Sequence, residues 1–303
     1  MTHSLSIGVQ LPEVERRVQW PELIAMARTA EAVGFDSLWL GDHLLYDLPD
    51  GSARGPWEVW TSLAAIAAST DSILLGPLVA SLGFHDPAML AKMAAKVDAI
   101  SGGRLIVGVG AGWNEREYRA FGLPFDHRVD RFEEAFHVVR RLLAGEAVDH
   151  RGRYYALDHC VIDPPPARLG GPPLMVGSIG PRMLGITLPH VQMWNVWFSQ
   201  YGNQPRGLAR VVDSVHGHLR LAGRSPDDVA GTACVFVQTP RGVGRTMGDP
   251  EMSAPPLRGS ASEIADQLRD LAIPGISHLQ LVVDPIDQES IEWLADVLAE
   301  LRR

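Results

Sequence analysis

The chain has 303 residues, of which 46% are hydrophobic and 21% are charged, and its formal net charge is −9. This composition is that of an ordinary globular protein and gives no sign of disordered or collagen-like structure. The acidic balance argues against nonspecific binding of nucleic acid, which requires basic patches that replace the counterions of phosphates. We therefore expect a protein that acts on small molecules and has no nucleic-acid partner.

The chain shows no sequence feature of a membrane or secreted protein. No apolar run approaches the roughly 18 residues that a membrane helix needs, and the first residues lack the basic region of a signal peptide. Cys160 and Cys234 are far apart and have no CxxC partner, so neither a disulfide framework nor a thiolate metal site is supported. No metal-binding spacing appears among the 11 histidines. We expect a cytoplasmic protein with no metal and no membrane partner.

Strand-like and helix-like segments alternate along the chain. Runs rich in apolar and β-branched residues predict strands at 5–11, 35–43, 72–80, 104–110, 173–178, 191–198, 229–239 and 276–284. Amphipathic or well-capped segments between and after them predict helices at 20–34, 57–69, from Pro87, 131–145, from Pro181, about 204–223, after Ser260 and at the carboxyl end of the chain.

The helix signals are local and specific. Gly34 is placed to stop the first helix, and Asp86 is the expected N-cap of the third helix, which begins with proline. Ser260 and Glu263 form a capping box. In the fourth and last helices the apolar residues fall on one face: Phe132, Phe136, Val139 and Leu143 in the fourth, and Ile291, Leu294, Leu298 and Leu301 in the last.

Two segments interrupt the alternation. Residues 147–173 contain short β-prone pieces, a turn at Arg151 and Gly152, and then a stretch rich in proline and glycine, which together predict an inserted hairpin and loop. Residues 240–258 carry several glycines and prolines with little periodicity and are interpreted as a mobile loop. Both segments are expected to cover the site and to set the choice of substrate.

Eight βα units are the number that closes a parallel sheet into a (β/α)8 barrel. The predicted fold is therefore a TIM barrel with insertions after strand 4 and strand 7, formed by one domain over residues 1–303. An open, doubly wound sheet is the alternative.

The segment Gly108-Val109-Gly110-Ala111-Gly112 looks at first like a nucleotide-binding glycine loop. A Rossmann fingerprint has the spacing GxGxxG after the first strand, whereas this segment reads GxGxG at the end of the fourth. In a barrel that position is the carboxyl-terminal rim, where active sites lie. The glycines there let the backbone approach a flat ligand, or they form a tight turn that needs positive φ.

Three stretches, 34–45, 75–122 and 176–195, resemble the bacterial luciferase-like superfamily of flavin- and deazaflavin-dependent oxidoreductases. The branch that uses coenzyme F420 is more similar than the branch that uses flavin mononucleotide (FMN). The resemblance implies a barrel, a homodimer and a planar redox cofactor bound at the rim.

The resemblance also assigns roles to the residues that end the second strand. His43 is the candidate for proton transfer, because histidine titrates near neutral pH. Asp42 either orients His43 or contacts the cofactor. The alternative is that His43 makes a local hydrogen bond and only shapes the pocket.

Three further segments are expected to bind the cofactor. At the end of the third strand the family commonly has a bulge with a non-proline cis peptide bond, here expected at Leu78–Val79, although an unstrained strand end is the alternative. The loop that begins at Gly177 offers backbone N–H groups, with Ser178 and Arg182 as added donors, to the cofactor phosphate. The expected cofactor-binding residues are Leu78, Val79, Ala80, Ser81, Gly110, Ala111, Gly112, Trp113, Gly177, Ser178, Ile179, Gly180, Arg182 and Asn195.

Other polar residues near these segments receive no role. Glu115 and Glu117 are interpreted as a solvated helix start, and neither is expected to be catalytic. Trp197 either lines the cofactor cavity or belongs to the core.

The resulting hypothesis is an oxidoreductase that transfers a hydride between coenzyme F420 and a small organic substrate. One alternative is an FMN-dependent monooxygenase that uses reduced flavin and O2. A second alternative is a non-catalytic barrel that binds a ligand without turnover.

Overall fold

The computed structural model describes residues 5–244 and 253–303. Its internal contacts divide the chain into two compact units. Unit 1 contains Met1–Trp39 and Gly177–Arg303, and unit 2 contains Leu40–Val176. The prediction of one domain over 1–303 stays a prediction.

The secondary structure alternates as the sequence predicts. The strands are β1 (Ser6–Gln10), β2 (Ser37–Leu40), β3 (Tyr46–Asp47), β4 (Ala53–Arg54), β5 (Leu74–Pro77), β6 (Ala80–Ser81), β7 (Val107–Gly110), β8 (Val148–Arg151), β9 (Ala156–Cys160), β10 (Leu174–Val176), β11 (Met193–Val196), β12 (Ala230–Gln238) and β13 (Ile276–Asp284). The helices are α1 (Trp20–Ala32), α2 (Val59–Ala67), α3 (Pro87–Ile100), α4 (Glu115–Ala120), α5 (Arg128–Leu143), α6 (Pro181–Thr187), α7 (Phe198–Tyr201), α8 (Pro205–Leu221), α9 (Ala261–Leu271) and α10 (Gln288–Leu301).

Unit 1 is built on a parallel ladder in the order β2, β1, β13, β12, β11. Val9 of β1 pairs with Leu38 on one side and with Leu281 on the other. Nearly every residue of β12 and β13 is buried. Strands buried on both faces are typical of parallel sheets covered by helices, which is why these segments appear as continuous apolar runs in the sequence.

Unit 2 is built on parallel pairing of β10, β7 and β6, and Leu75 of β5 forms a parallel bridge with Leu105. Helix α5 packs against α3, and in its apolar stripe the rings of Phe132 and Phe136 stack 5.7 Å apart. All four stripe residues predicted for this helix are buried. The stripe therefore forms part of the core of unit 2.

The predicted helix signals are confirmed. The side chain of Asp86 accepts hydrogen bonds from the N–H groups of Ala88 and Met89 at the start of α3. Ser260 and Glu263 form the reciprocal capping box at the start of α9. These local bonds satisfy backbone donors that the first helical turn leaves without partners.

Several predicted boundaries are wrong. The sixth strand was predicted to reach residue 198, but Phe198 begins α7 and packs on Phe236, with ring centroids 5.1 Å apart. The predicted third strand is interrupted and continues as β5 and β6. The loop after β2 contains the short antiparallel pair β3 and β4. Aromatic and β-branched residues favour strands but are also buried in helices, so their presence does not mark the strand end.

The first predicted insertion is a hairpin, as expected, formed by β8 and β9. The Glu134 carboxylate accepts hydrogen bonds from the backbone N–H groups of Tyr154 and Tyr155 and lies 2.9 Å from Nε2 of His150.

The second predicted insertion, at 240–258, has its residues 245–252 outside the described residues. On its described flank, Leu257 forms a parallel bridge with Val237. Over the described ranges, no helix is both long and apolar enough to cross a membrane.

Candidate active site

Asp42 lies two residues beyond the end of β2 and is buried. Its Oδ2 accepts a hydrogen bond of 2.9 Å from the backbone N–H of Ser81 and lies 3.1 Å from Nε2 of His85. Two residues predicted for the site, Asp42 and Ser81, are therefore in contact. His85 is not among the residues that the sequence predicts for the site.

His43 makes its carboxylate contact with Glu117. Nδ1 of His43 lies 3.1 Å from both carboxylate oxygens of Glu117. The His43 side chain is 18% exposed, whereas that of Glu117 is only 1% exposed. Glu117 Oε1 also accepts hydrogen bonds from the N–H groups of Leu44, at 2.6 Å, and Leu45, at 3.1 Å.

The interpretation of Glu117 as a solvated helix start is therefore wrong. Asn114 caps α4 by accepting a hydrogen bond from the N–H of Arg116. Glu115 is exposed, while Glu117 and Tyr118 are buried. The signal that could have found Glu117 is its place shortly after β7, because parallel strands end at a common rim and a carboxylate there can reach His43.

Tyr118 joins the ends of β6 and β7. Its hydroxyl oxygen lies 2.8 Å from Oγ of Ser81, and the same hydroxyl donates to the carbonyl of Ala111 at 2.9 Å. Burial raises the pKa of the Tyr118 phenol above its ordinary value, so the hydroxyl stays protonated and can donate. Three predicted cofactor-binding residues, Ser81, Ala111 and Gly112, lie around this hydroxyl.

Gly112 is a position that only glycine fits. Its φ is +71°, and a Cβ there would collide with Oη of Tyr118 and Oγ of Ser81. Its carbonyl accepts a hydrogen bond of 2.5 Å from Nη1 of Arg128. The positive φ confirms the tight turn at Gly112, whereas the approach of this backbone to a flat ligand stays a prediction.

The end of the third predicted strand has the expected irregularity. The Leu78–Val79 peptide bond is cis, which confirms the expectation for this bond. Beyond it, Ala80 pairs with Val109 and Ser81 pairs with Gly110. Leu78 and Ala80 are buried.

Two aromatic rings lie beside His43. The Tyr46 ring lies 4.6 Å from the imidazole and the Trp113 ring 5.9 Å from it, centroid to centroid. Trp113 is 45% exposed. This arrangement leaves an aromatic surface beside a titratable group, which suits a planar ligand.

Asn195 lies within unit 1. It is buried, and its amide nitrogen donates to Oγ1 of Thr232 at 2.8 Å and to Oε1 of Gln280 at 3.0 Å. The amide nitrogen of Gln280 is buried and has no partner among the described residues. Buried amides of this kind normally have hydrogen-bond partners.

The loop after β10 has open space at Gly180. Gly180 is the N-cap of α6, no side chain caps this helix, and Gly180 N–H donates to Oγ of Ser178 at 3.3 Å. A Cβ at Gly180 would meet only that same Oγ, at 3.7 Å. Arg182 is exposed. The structure describes Gly177, Ser178, Ile179, Gly180 and Arg182 within unit 1, and their contact with a phosphate stays a prediction.

A separate buried group in unit 1 links β2 and β13. Ser37 Oγ accepts a hydrogen bond of 2.7 Å from the indole N–H of Trp39 and lies 2.8 Å from Nε2 of His278. Burial lowers the pKa of His278 to about 4, so the imidazole is neutral at pH 7 and Nε2 can accept the hydroxyl proton of Ser37. Within the described ranges, no group of His, Cys, Asp and Glu side chains could hold a metal ion.

Comparisons with known proteins identify relatives of this chain. Residues 2–241 match the family model described as luciferase-like monooxygenase. The phthiodiolone/phenolphthiodiolone dimycocerosates ketoreductase of Mycobacterium tuberculosis (strain ATCC 25618 / H37Rv) is 31% identical over 241 residues, which are 73% of this chain and 62% of the relative. An F420-dependent glucose-6-phosphate dehydrogenase of Microbacterium testaceum (strain StLB037) is 30% identical over 217 residues, 69% of this chain and 61% of the relative. The matches span less than two thirds of these relatives.

The fold also matches solved structures. An F420-dependent secondary alcohol dehydrogenase in complex with an F420–acetone adduct has a TM-score of 0.83 and 20% identity, covering 99% of this chain and all of that one. This likeness confirms the predicted TIM barrel and excludes the open sheet. With the family match over residues 2–241, it follows that the chain belongs to the luciferase-like monooxygenase family, as the resemblance of its sequence indicated.

Proposed function

We propose that this chain is an oxidoreductase that transfers a hydride between the deazaflavin coenzyme F420 and a small organic substrate. The observation that carries the proposal is the His43–Glu117 pair, a half-buried imidazole held by a fully buried carboxylate. The relative from M. testaceum is named as F420-dependent, and this supports F420 as the cofactor.

The residues present in unit 2 fit a planar ring. Trp113 offers an exposed aromatic face beside His43, and Gly112 lets its backbone lie against Tyr118 and Ser81, which fill the position of a Cβ. We assign to the ring Leu78, Val79, Ala80, Ser81, Gly110, Ala111, Gly112 and Trp113. The roles of the loop from Gly177 to Arg182 and of Asn195 stay predictions from the resemblance.

His43 performs the proton transfer in this proposal. The carboxylate of Glu117 accepts the Nδ1–H of His43, which fixes the tautomer and makes Nε2 the base. Nε2 takes the hydroxyl proton of an alcohol substrate while the alcohol carbon gives up its hydride. In the reverse direction, Nε2 returns the proton to the carbonyl oxygen of the substrate. Bound deazaflavin supplies the carbon centre that exchanges the hydride.

We assign Asp42 a different role from that of Glu117. Its hydrogen bonds go to Ser81 and His85, not to His43. Of its two expected roles, contact with the cofactor segment therefore has more support than orientation of His43. Glu117 takes over the orientation.

An FMN-dependent monooxygenase is the second candidate, because the matching family model carries the description monooxygenase. The same imidazole would serve proton transfer in that reaction. The aromatic surface beside His43 suits either ring system, so the choice of cofactor depends on measured binding.

The deciding experiment is a spectroscopic titration of the purified chain with F420 and, separately, with FMN. Enzyme with bound F420 is then mixed with 2-propanol, with glucose 6-phosphate and with a wider panel of alcohols, while the deazaflavin absorbance and the O2 concentration are followed. Tight F420 binding with absorbance loss and no O2 uptake supports the proposal. Tight FMN binding with O2 uptake supports the second candidate, and binding of neither cofactor supports a non-catalytic barrel.

The wider setting of the protein is part of the proposal. We assign it to the cytoplasm, as a single domain that assembles into a homodimer. Light scattering after size exclusion measures the assembly, and a mass of one chain would contradict it.

A further inference from the structure

Unit 2 contains two separate hydrogen-bond networks. The sequence neighbours Asp42 and His43 belong to different networks, and so do the neighbours Glu117 and Tyr118. His43 and Glu117 form the first network. Their neighbours Asp42 and Tyr118 belong to the second, in which His85 contacts Asp42, Asp42 contacts Ser81, and Ser81 contacts Tyr118. The proposed proton transfer uses only the first network. The second holds a histidine and a carboxylate that the mechanism leaves unused.

The carboxylate of Asp42 is buried, with its side chain 3% exposed. A buried carboxylate is stable only if hydrogen-bond donors replace the water that it has lost. Its Oδ2 has two such partners, the backbone N–H of Ser81 and Nε2 of His85. Both lie on one short stretch of chain, so Asp42 ties the loop after β2 to the end of β6 and the turn that follows it.

The position of His85 is itself well fixed. It follows the short helical turn Leu82–Phe84 and precedes the N-cap Asp86 of α3. Its side chain is 15% exposed, and the Phe84 ring lies 6.5 Å away at a steep angle. The start of a 14-residue helix thus carries the imidazole toward Asp42.

The network ends at the segment that the proposed function assigns to the cofactor. The Ser81 hydroxyl contacts Tyr118, and the Tyr118 hydroxyl donates to the carbonyl of Ala111. Any movement of Asp42 therefore changes the position of Ser81 and, through Tyr118, the backbone at Ala111. These contacts are short and continuous, and each is a distinct hydrogen bond.

We propose that His85 is a positioning residue for the cofactor: its N–H to Asp42 fixes the Ser81 segment and the Ala111 backbone, while turnover depends on His43 and Glu117. This inference rests on the proposed function, since it needs a cofactor at these residues. The two networks can be distinguished by measurement. Loss of the first should change the rate of hydride transfer, and loss of the second should change the affinity for the cofactor.

The test compares His85→Leu with His85→Gln. Leucine fills similar space without a donor, whereas glutamine places a neutral N–H at about the reach of Nε2. We use the cofactor, F420 or FMN, that wild type binds. Three quantities are measured for wild type and both variants: the dissociation constant of this cofactor, the absorption spectrum of the bound ring and the rate of hydride transfer at saturating cofactor. We expect His85→Leu to weaken cofactor binding by about tenfold or more, the scale of a lost hydrogen bond to a charged group, with a shifted bound spectrum. His85→Gln should stay within about threefold of wild type, and both variants should keep a rate near that of wild type.

Three outcomes overturn the inference: unchanged affinity in His85→Leu, equal weakening in both variants, or a loss of rate larger than the loss of affinity. Should His85→Leu fail to fold, the comparison of His85→Asn with His85→Gln replaces it, since asparagine is too short to place its N–H at Asp42. If wild type binds neither F420 nor FMN, the proposed function fails as well. Wild-type binding together with unchanged affinity in the leucine variant overturns the positioning role alone.

Discussion

The imidazole of His43 and the carboxylate of Glu117 lie 3.1 Å apart although 74 residues separate them in sequence. Glu117 does more than face the imidazole, because it also accepts the N–H groups of Leu44 and Leu45. One buried carboxylate thus fixes both the histidine and the backbone that follows it. Catalytic groups require such fixed geometry, since a base acts only when it lies within hydrogen-bond reach of its proton.

Replacing Glu117 with glutamine separates charge from shape. The amide oxygen of Glu117→Gln can still accept the two backbone N–H groups, but the negative charge that stabilises a protonated His43 is gone. We expect the hydride-transfer rate to fall by about 100-fold, within the range of general acid–base catalysis, while cofactor affinity changes by less than about threefold. Single-turnover absorbance of the bound cofactor, with the substrate found in the panel, measures the rate. A rate within a few-fold of wild type would remove the Glu117 charge from the mechanism.

His43→Ala tests the base itself and should lower turnover more than it lowers cofactor affinity. A control is available in α8, where Nδ1 of His218 lies 2.9 Å from the carbonyl oxygen of Ser214. His218→Ala should leave both turnover and affinity near wild type. Steady-state rates and cofactor titrations of both variants give the comparison, and equal rates for the two variants would remove His43 from the reaction.

The fold was accessible from the sequence because its strands are buried on both faces. The continuous apolar character of segments such as 276–284 can be recognised from the local sequence alone. β13 occupies that range as predicted. Strand ends were less accessible. The tryptophan and phenylalanine at 197 and 198 suit a strand by composition, but tertiary packing places Phe198 in α7 against Phe236.

The site was accessible only in part, for a physical reason. Asp42, His43 and Gly112 lie at strand ends, which the (β/α)8 pattern places at one rim. Glu117, Tyr118 and His85 make their contacts across 74, 37 and 43 residues. Which side of a short helix faces inward depends on the turn before it, and no local pattern in the sequence records that orientation.

Two glycines with the same backbone conformation allow strain and collision to be measured separately. Gly112 has φ +71° and Gly122 has φ +70°, but a Cβ at Gly122 meets nothing within 4 Å. Gly122→Ala should cost about 1–2 kcal/mol of unfolding free energy, the penalty of an L-residue in the left-handed region. Gly112→Ala should cost about 1–3 kcal/mol more, because the methyl group must displace Tyr118 or Ser81. Urea denaturation measures both costs, and cofactor affinity should fall only in Gly112→Ala. Equal costs in the two variants would mean that Tyr118 and Ser81 move aside without a measurable loss of stability.

The buried His278 makes stability depend on pH in a defined direction. Its pKa of about 4 in the folded chain lies below the value of about 6.5 expected in the unfolded chain. Between these values the unfolded chain binds a proton that the folded chain does not, so stability is fully present above pH 6.5 and falls as the pH drops toward 4. The expected loss from this residue between pH 7 and pH 5 is about 2 kcal/mol. His278→Gln keeps a polar group beside Ser37 but cannot titrate. Urea denaturation at several pH values should give a shallower acid slope for this variant than for wild type, whatever its stability at pH 7. Parallel slopes would mean that His278 is protonated equally in both states, and the neutral imidazole accepting from Ser37 would then be wrong.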